Sequence, residues 1–119
     1  MFNLENVGQW KGQNTIGADG EKIGKLQEVY VDTETDLPAF GAVQVGVVGK
    51  HRWAFVPLDG ATAGRDYLRL RVTKKQVKDA PWIQPKGELP KDSEAAIYSY
   101  YGMAYIPTTA LSGRRLARR

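Results

Sequence analysis

The stretch KIGKLQEVYVDTETDLPAFGAVQVGVVGKHRWAFVPL, Lys22 to Leu58, decides the fold, because it reads as three consecutive strands separated by turn residues. Val43, Val45 and Val47 alternate with Ala42, Gln44 and Gly46, a period of two that predicts a strand over Ala39 to Val48 with one buried face. Upstream, Lys22 to Thr33 predicts a longer strand in which Val29 and Val31 share a face and Leu26 falls on the other. That change of parity beside Gly24 is what a bulge or sharp bend produces. Downstream, a turn at Gly49, Lys50 and His51 returns the chain into Trp53 to Val56, and Pro57, which lacks an amide donor, ends regular pairing.

Working outward, Asp19-Gly20 is a two-residue turn signal of type I′, joining a short strand around Asn14 to Ala18 to the long one. In Tyr67 to Val72, Leu68, Leu70 and Val72 point inward while Arg69 and Arg71 point outward, which predicts a strand. Thr73 caps a short helix over Lys74 to Asp79, which must stop before Pro81. Prolines 81, 85 and 90 impose an extended connector. Asp92 or Ser93 then caps a helix to about Tyr101, with Gly102 just past its end.

The expected organisation is a barrel over residues 8–80, a proline-rich connector with a capping helix over 81–105, and a basic, flexible tail over 106–119. A chain of 119 residues supports one core. The absence of cysteine excludes disulfides, thiolate nucleophiles and Cys-based metal sites, and it fits a reducing compartment, the cytoplasm by default. No window reaches the ~20 apolar residues that a membrane span needs. The net charge of +4 resides in Arg114, Arg115, Arg118 and Arg119, since the other cations and the 13 acids balance. Such a tail reads first as a solvated terminus.

Short strands at close spacing argue for a small β-barrel or strongly bent sheet, closed so that few edges remain. Gly20 to Asp32 (GEKIGKLQEVYVD), Pro38 to Gly46 (PAFGAVQVG) and Trp53 to Leu58 (WAFVPL) resemble the PRC-barrel family, named for a domain of the photosynthetic reaction-centre H subunit. Lys74 to Pro81 (KKQVKDAP) and Ser99 to Met103 (SYYGM) are similar to its small stand-alone bacterial members. The resemblance implies a mainly β fold, a PRC-type barrel of about five or six antiparallel strands with a short C-terminal helical appendage. It implies a docking or packing module, a role the family fills in photosynthetic membranes, ribosome assembly and archaeal cell division. No catalytic set belongs to the family as a whole. A free-standing module is expected, without the membrane helix of the reaction-centre relatives or the RNA-related domain of the ribosome-maturation ones.

Chemistry is sparsely encoded. His51 is the only histidine, flanked by Lys50 and Arg52, so neither a triad nor a metal site is indicated. Asp32, Glu34 and Asp36 lack the glycine and distal Glu of an EF-hand loop and read as solvated turn acids. The glycines form no phosphate-binding loop. No catalytic residue, cofactor or metal is therefore expected. The aromatics Trp82, Tyr98, Tyr100, Tyr101 and Tyr105 are the candidate interface, because Tyr and Trp combine large contact area with a polar edge. Arg69, Arg71, Lys74, Lys75, Arg114, Arg115, Arg118 and Arg119 are the candidate basic patch.

Three functions compete. The favoured one is a non-enzymatic interaction or scaffolding module with a protein partner, in the form of a homo-oligomer or a complex. The alternative is a nucleic-acid accessory protein using the basic patch. A ligand carrier or enzyme using the barrel interior ranks lowest, because small barrels are filled by their own side chains. A role in photosynthetic electron transport enters only through the family name.

Overall fold

The computed structural model describes residues 10–46, 50–105 and 113–118. The expected strand and turn residues Val47, Val48 and Gly49, the tail segment 106–112 and Arg119 lie outside the described residues. The spine of the fold is β2, Lys22–Asp32. It pairs antiparallel with β1 (Asn14–Ile16), with β3 (Pro38–Val45) and with β8 (Leu116–Arg118). Strand β4 (Arg52–Pro57) follows β3, and β7 (Trp82–Ile83) lies on its far side. At the other end, β6 (Tyr67–Arg69) pairs with β1 and with β5 (Thr62–Ala63). The helices are α1 (Lys74–Lys78) and α2 (Glu94–Tyr100), the latter entered through a 3-10 turn at Lys91–Ser93.

The mainly β expectation holds, with three corrections. Eight described strands are present rather than five or six, because β7 and β8 arise from segments read as connector and tail. The β1–β6 pair is parallel. The ladder runs β5-β6-β1-β2-β3-β4-β7 without returning on itself, so no hydrogen-bonded closure forms among the described strands. Helix α1 contacts both β2 and β4 and sends Val77 into the core on that side.

Two bulges in β2 set which of its side chains meet. Opposite β1, Thr15 faces Gly24 and Ile16 faces Lys22, so Ile23 is the extra residue. Opposite β3, Leu26 faces Val43 and Glu28 faces Ala42, so Gln27 is extra. Each extra residue flips parity, and Ile23, Leu26 and Val29, three apart, therefore all enter one core. The parity change falls beside Gly24 as expected, but the second bulge places Leu26 and Val29 together instead of on opposite faces. At Gly24 the backbones of β2 and β3 pass so closely that a Cβ would lie 2.0 Å from the Gln44 carbonyl oxygen. The Asp19-Gly20 turn is not type I′. Gly20 alone takes positive φ, and its N–H donates to the Gly17 carbonyl at 3.0 Å.

The apolar side chains divide into two cores. Leu26, Val29, Val43, Val56, Leu58 and Leu68 anchor the first, inside the curled sheet. Phe40, Trp53 and Phe55 look out from the opposite face and meet Ile83, Ile97, Tyr98 and Leu116 in the second. Strands β3 and β4 are thus covered on both sides, whereas alternation alone predicted one buried face for β3. Leu68, Leu70 and Val72 are buried as read, although the β6 ladder ends at Arg69. Thr73 caps α1 reciprocally with Gln76. Gly102, at φ +69°, closes α2 with its N–H on the Ser99 carbonyl, and the Met103 N–H reaches the Tyr98 carbonyl.

The tail is the largest departure from expectation. Glu94, the first residue of α2, has no solvent exposure, and its carboxylate accepts the N–H groups of Arg115 and Leu116, each at 2.9 Å. The Tyr105 hydroxyl donates to the same carboxylate at 3.0 Å. The Arg115 guanidinium grips both oxygens of Asp32 at 2.9 Å through Nε. Thr33 ties the same segment from the other side, donating its N–H to the Arg115 carbonyl at 2.8 Å and its hydroxyl to the Arg114 carbonyl at 2.7 Å. A flexible tail is therefore wrong for residues 113–118: buried acceptors and the β2 edge offer its backbone better partners than water does. Asp32 is likewise half-buried and paired, not a solvated turn acid.

Two stability outcomes follow. Gly24→Ala costs about 1–3 kcal/mol in urea unfolding, because the methyl group meets backbone rather than a movable side chain. Glu94→Ala strands the Arg115 and Leu116 N–H groups and costs roughly 2–4 kcal/mol. Hydrogen exchange at those two amides then accelerates more than at Leu26, and equal protection in variant and parent would show that the carboxylate does not hold the tail.

Candidate interaction surface

The five candidate aromatics part company. Tyr98 is buried, edge-on to Phe40 at 5.0 Å and to Tyr105 at 5.2 Å. Tyr101 is half-buried and donates its hydroxyl to the Phe55 carbonyl. Tyr105 is half-buried against Glu94. These three belong to packing. Trp82, 46% exposed, and Tyr100, 40% exposed, remain available, and both line one open groove together with Asp79, Pro81 and Ser99. Each is positioned by a backbone tie: Trp82 by the pairing of β7 with Ala54, Tyr100 by its hydroxyl on the Gln76 carbonyl.

The basic candidates also separate, into three places. Arg69 and Arg71 line a shallow recess with Ala18 and Gly60, and Arg69 donates to the Ala18 carbonyl at 2.8 Å. Lys74 and Lys75 project from α1 into a different groove, of about 690 Å³, beside Lys78 and Arg52. Arg114, Arg115 and Arg118 are engaged within the fold. Arg114 donates to the Leu89 carbonyl, Arg115 pairs with Asp32, and Arg118 donates to the Tyr30 hydroxyl at 2.9 Å while lying over the Tyr30 and Trp53 rings. A single basic patch therefore does not assemble. Arg52 and Lys78 escaped the sequence reading, although Lys78 follows Lys75 by three residues, the spacing of a shared helix face.

Arg52 links the two surfaces. Its guanidinium donates to the Lys78 carbonyl at 2.7 Å and sits 5.5 Å from the centre of the Trp82 ring. His51 Nδ1 lies 3.4 Å from the Gln44 amide nitrogen, and no cluster of three or more His, Asp or Glu among the described residues is arranged to hold a metal. No helix among the described residues is long and apolar enough to cross a membrane.

Burial shapes the titration of the tyrosines behind this surface. It pushes the Tyr98 hydroxyl from 10.0 up to about 12, with Asp32 adding to the rise, and it pushes Tyr101 up as well. Between pH 10 and 12 the unfolded tyrosines release protons that the folded ones keep, so the unfolded state binds fewer protons and stability falls as pH rises. Tyr98→Phe flattens that alkaline loss and changes little at neutral pH, since its buried hydroxyl has no hydrogen-bond partner among the described residues. Tyr101→Phe also flattens it but costs about 0.5–1.5 kcal/mol at pH 7 through the lost bond to Phe55. Thermal unfolding followed from pH 8 to 12 separates the two.

The model of the PRC-barrel domain family matches residues 3–77. Among curated proteins, none matches the chain. The matched region carries β1 to β6, both bulges of β2, the first core and most of α1, and it stops just before the segment that builds the second core. With more than half of its length matched, and the sheet that the match implies in place, the chain belongs to the PRC-barrel family.

Proposed function

We propose that this protein is a non-catalytic protein-interaction module, working in a reducing compartment such as the cytoplasm, that docks a partner on the surface around Trp82 and Tyr100. The observation that carries the reading is the exposure of these two aromatics on rigid supports, beside a second core that consumes every neighbouring aromatic. Rings of this kind bury large area on binding with little loss of conformational freedom. Family membership supports the same reading, as does the filling of both faces of β3 and β4 by the chain's own side chains.

The nucleic-acid alternative is weakened by the tail, whose described arginines are spent on Asp32, Tyr30 and backbone carbonyls. A role in photosynthetic electron transport rests on the family name alone.

Quantitative affinity capture from native cell extract tests the proposal. Parent protein enriches a defined protein set, the Trp82→Ala/Tyr100→Ala variant loses it by about tenfold or more, and Arg69→Gln/Arg71→Gln does not. A protein that is monomeric in light scattering and captures nothing, or capture abolished by nuclease and indifferent to Trp82 and Tyr100, overturns it.

A further inference from the structure

The groove beside α1 combines an apolar floor with a cationic rim. Ile23, Val45 and Val77 form the floor. Arg52, Lys74, Lys75 and Lys78 form the rim, and Glu21 is the one acid among the described residues that line it. The three lysines are exposed, and no ion pair among the described residues holds them. Four like charges around one recess repel one another, and an anionic occupant relieves that repulsion. The volume of about 690 Å³ suits a few side chains.

We propose that this groove binds an acidic protein segment that carries an aliphatic side chain between its carboxylates, a deepening that rests on the interaction-module reading. The aliphatic group covers Val45 and Ile23 while the carboxylates meet Lys74, Lys75, Lys78 and the free edge of Arg52. Because Arg52 also stacks on Trp82, the segment continues directly onto the aromatic surface. Protein is favoured over nucleic acid on two grounds. Among the described residues, the groove lining contains no aromatic ring on which a base could stack. The cations also stop at its rim, since Arg69 and Arg71 line another recess and Arg114, Arg115 and Arg118 are engaged, so a phosphate backbone finds no continuous track among the described residues.

The test uses the full chain and fluorescence anisotropy with a labelled synthetic peptide of Asp and Glu flanking one Leu. A matching peptide with Ser for Leu and a single-stranded oligouridine RNA serve as comparators. Binding to the Leu peptide weakens about tenfold or more in Lys74→Gln/Lys75→Gln/Lys78→Gln, whose exposed positions leave the fold unchanged by circular dichroism. It weakens several-fold for the Ser peptide and in Val45→Ser, and is unaffected in Arg69→Gln/Arg71→Gln. No binding, binding indifferent to the three lysines or to the Leu, or tighter binding of the RNA lost in the same variant overturns the proposal. Failure of the peptide while partner capture still depends on Trp82 and Tyr100 removes this inference alone. Failure of both removes the interaction reading as well.

Discussion

Strands β3 and β4 carry large apolar side chains on both faces, and such strands are stable in water only when both faces are covered. The curled sheet covers one, with Leu26, Val43, Val56 and Leu68 meeting inside it. The other exposes Phe40, Trp53 and Phe55, and a sheet of this size has nothing of its own left to lay over them. The described elements after residue 80 answer that requirement. Strand β7 pairs onto β4, α2 delivers Ile97 and Tyr98, and the last strand brings Leu116 across the β2 edge. The second core is therefore a structural necessity of the first.

Covering the outer face brings a polar problem with it, because the returning chain carries backbone N–H groups into a dry region. Glu94 resolves it by accepting two of them with one carboxylate, while Asp32 neutralises Arg115 alongside. A buried carboxylate is costly unless it is hydrogen-bonded, and this one has three donors. The same geometry disposes of the net charge. Arg114, Arg115 and Arg118 of the tail are turned inward onto Leu89, Asp32 and Tyr30, and among the described residues cations gather in two separate places, around α1 and at Arg69 and Arg71.

Function then rests on what the two cores leave uncovered. Trp82 and Tyr100 sit at the margin of the second core, and Arg52 bridges from them to the lysine-rimmed groove at the margin of the first. The proposed partner contact falls where the curled sheet and its cover meet, a junction that neither layer forms alone.

Local features were legible from residue order. The alternation of Leu68, Leu70 and Val72, the Thr73 cap and the Gly102 terminus each depend on neighbours within a few positions, and each is found as read. The continuous apolar run Trp53-Ala54-Phe55-Val56 is the pattern of a strand buried on both faces, a signal that reading it simply as a strand left unused. Long-range facts were not legible. Glu94 looks like an ordinary acid in a first helical turn, and only the arrival of residues 115 and 116 gives it a role. The open hydrogen-bond path, the parallel β1–β6 pair and the dispersal of the basic residues likewise depend on which distant segments meet. The residue pattern determined by itself that this chain makes short bent strands of the PRC-barrel type, because period and turn chemistry are local. Only the tertiary structure decided that its C-terminal third becomes a second layer, because burying the outer face of β3 and β4 is a demand set by the packed sheet.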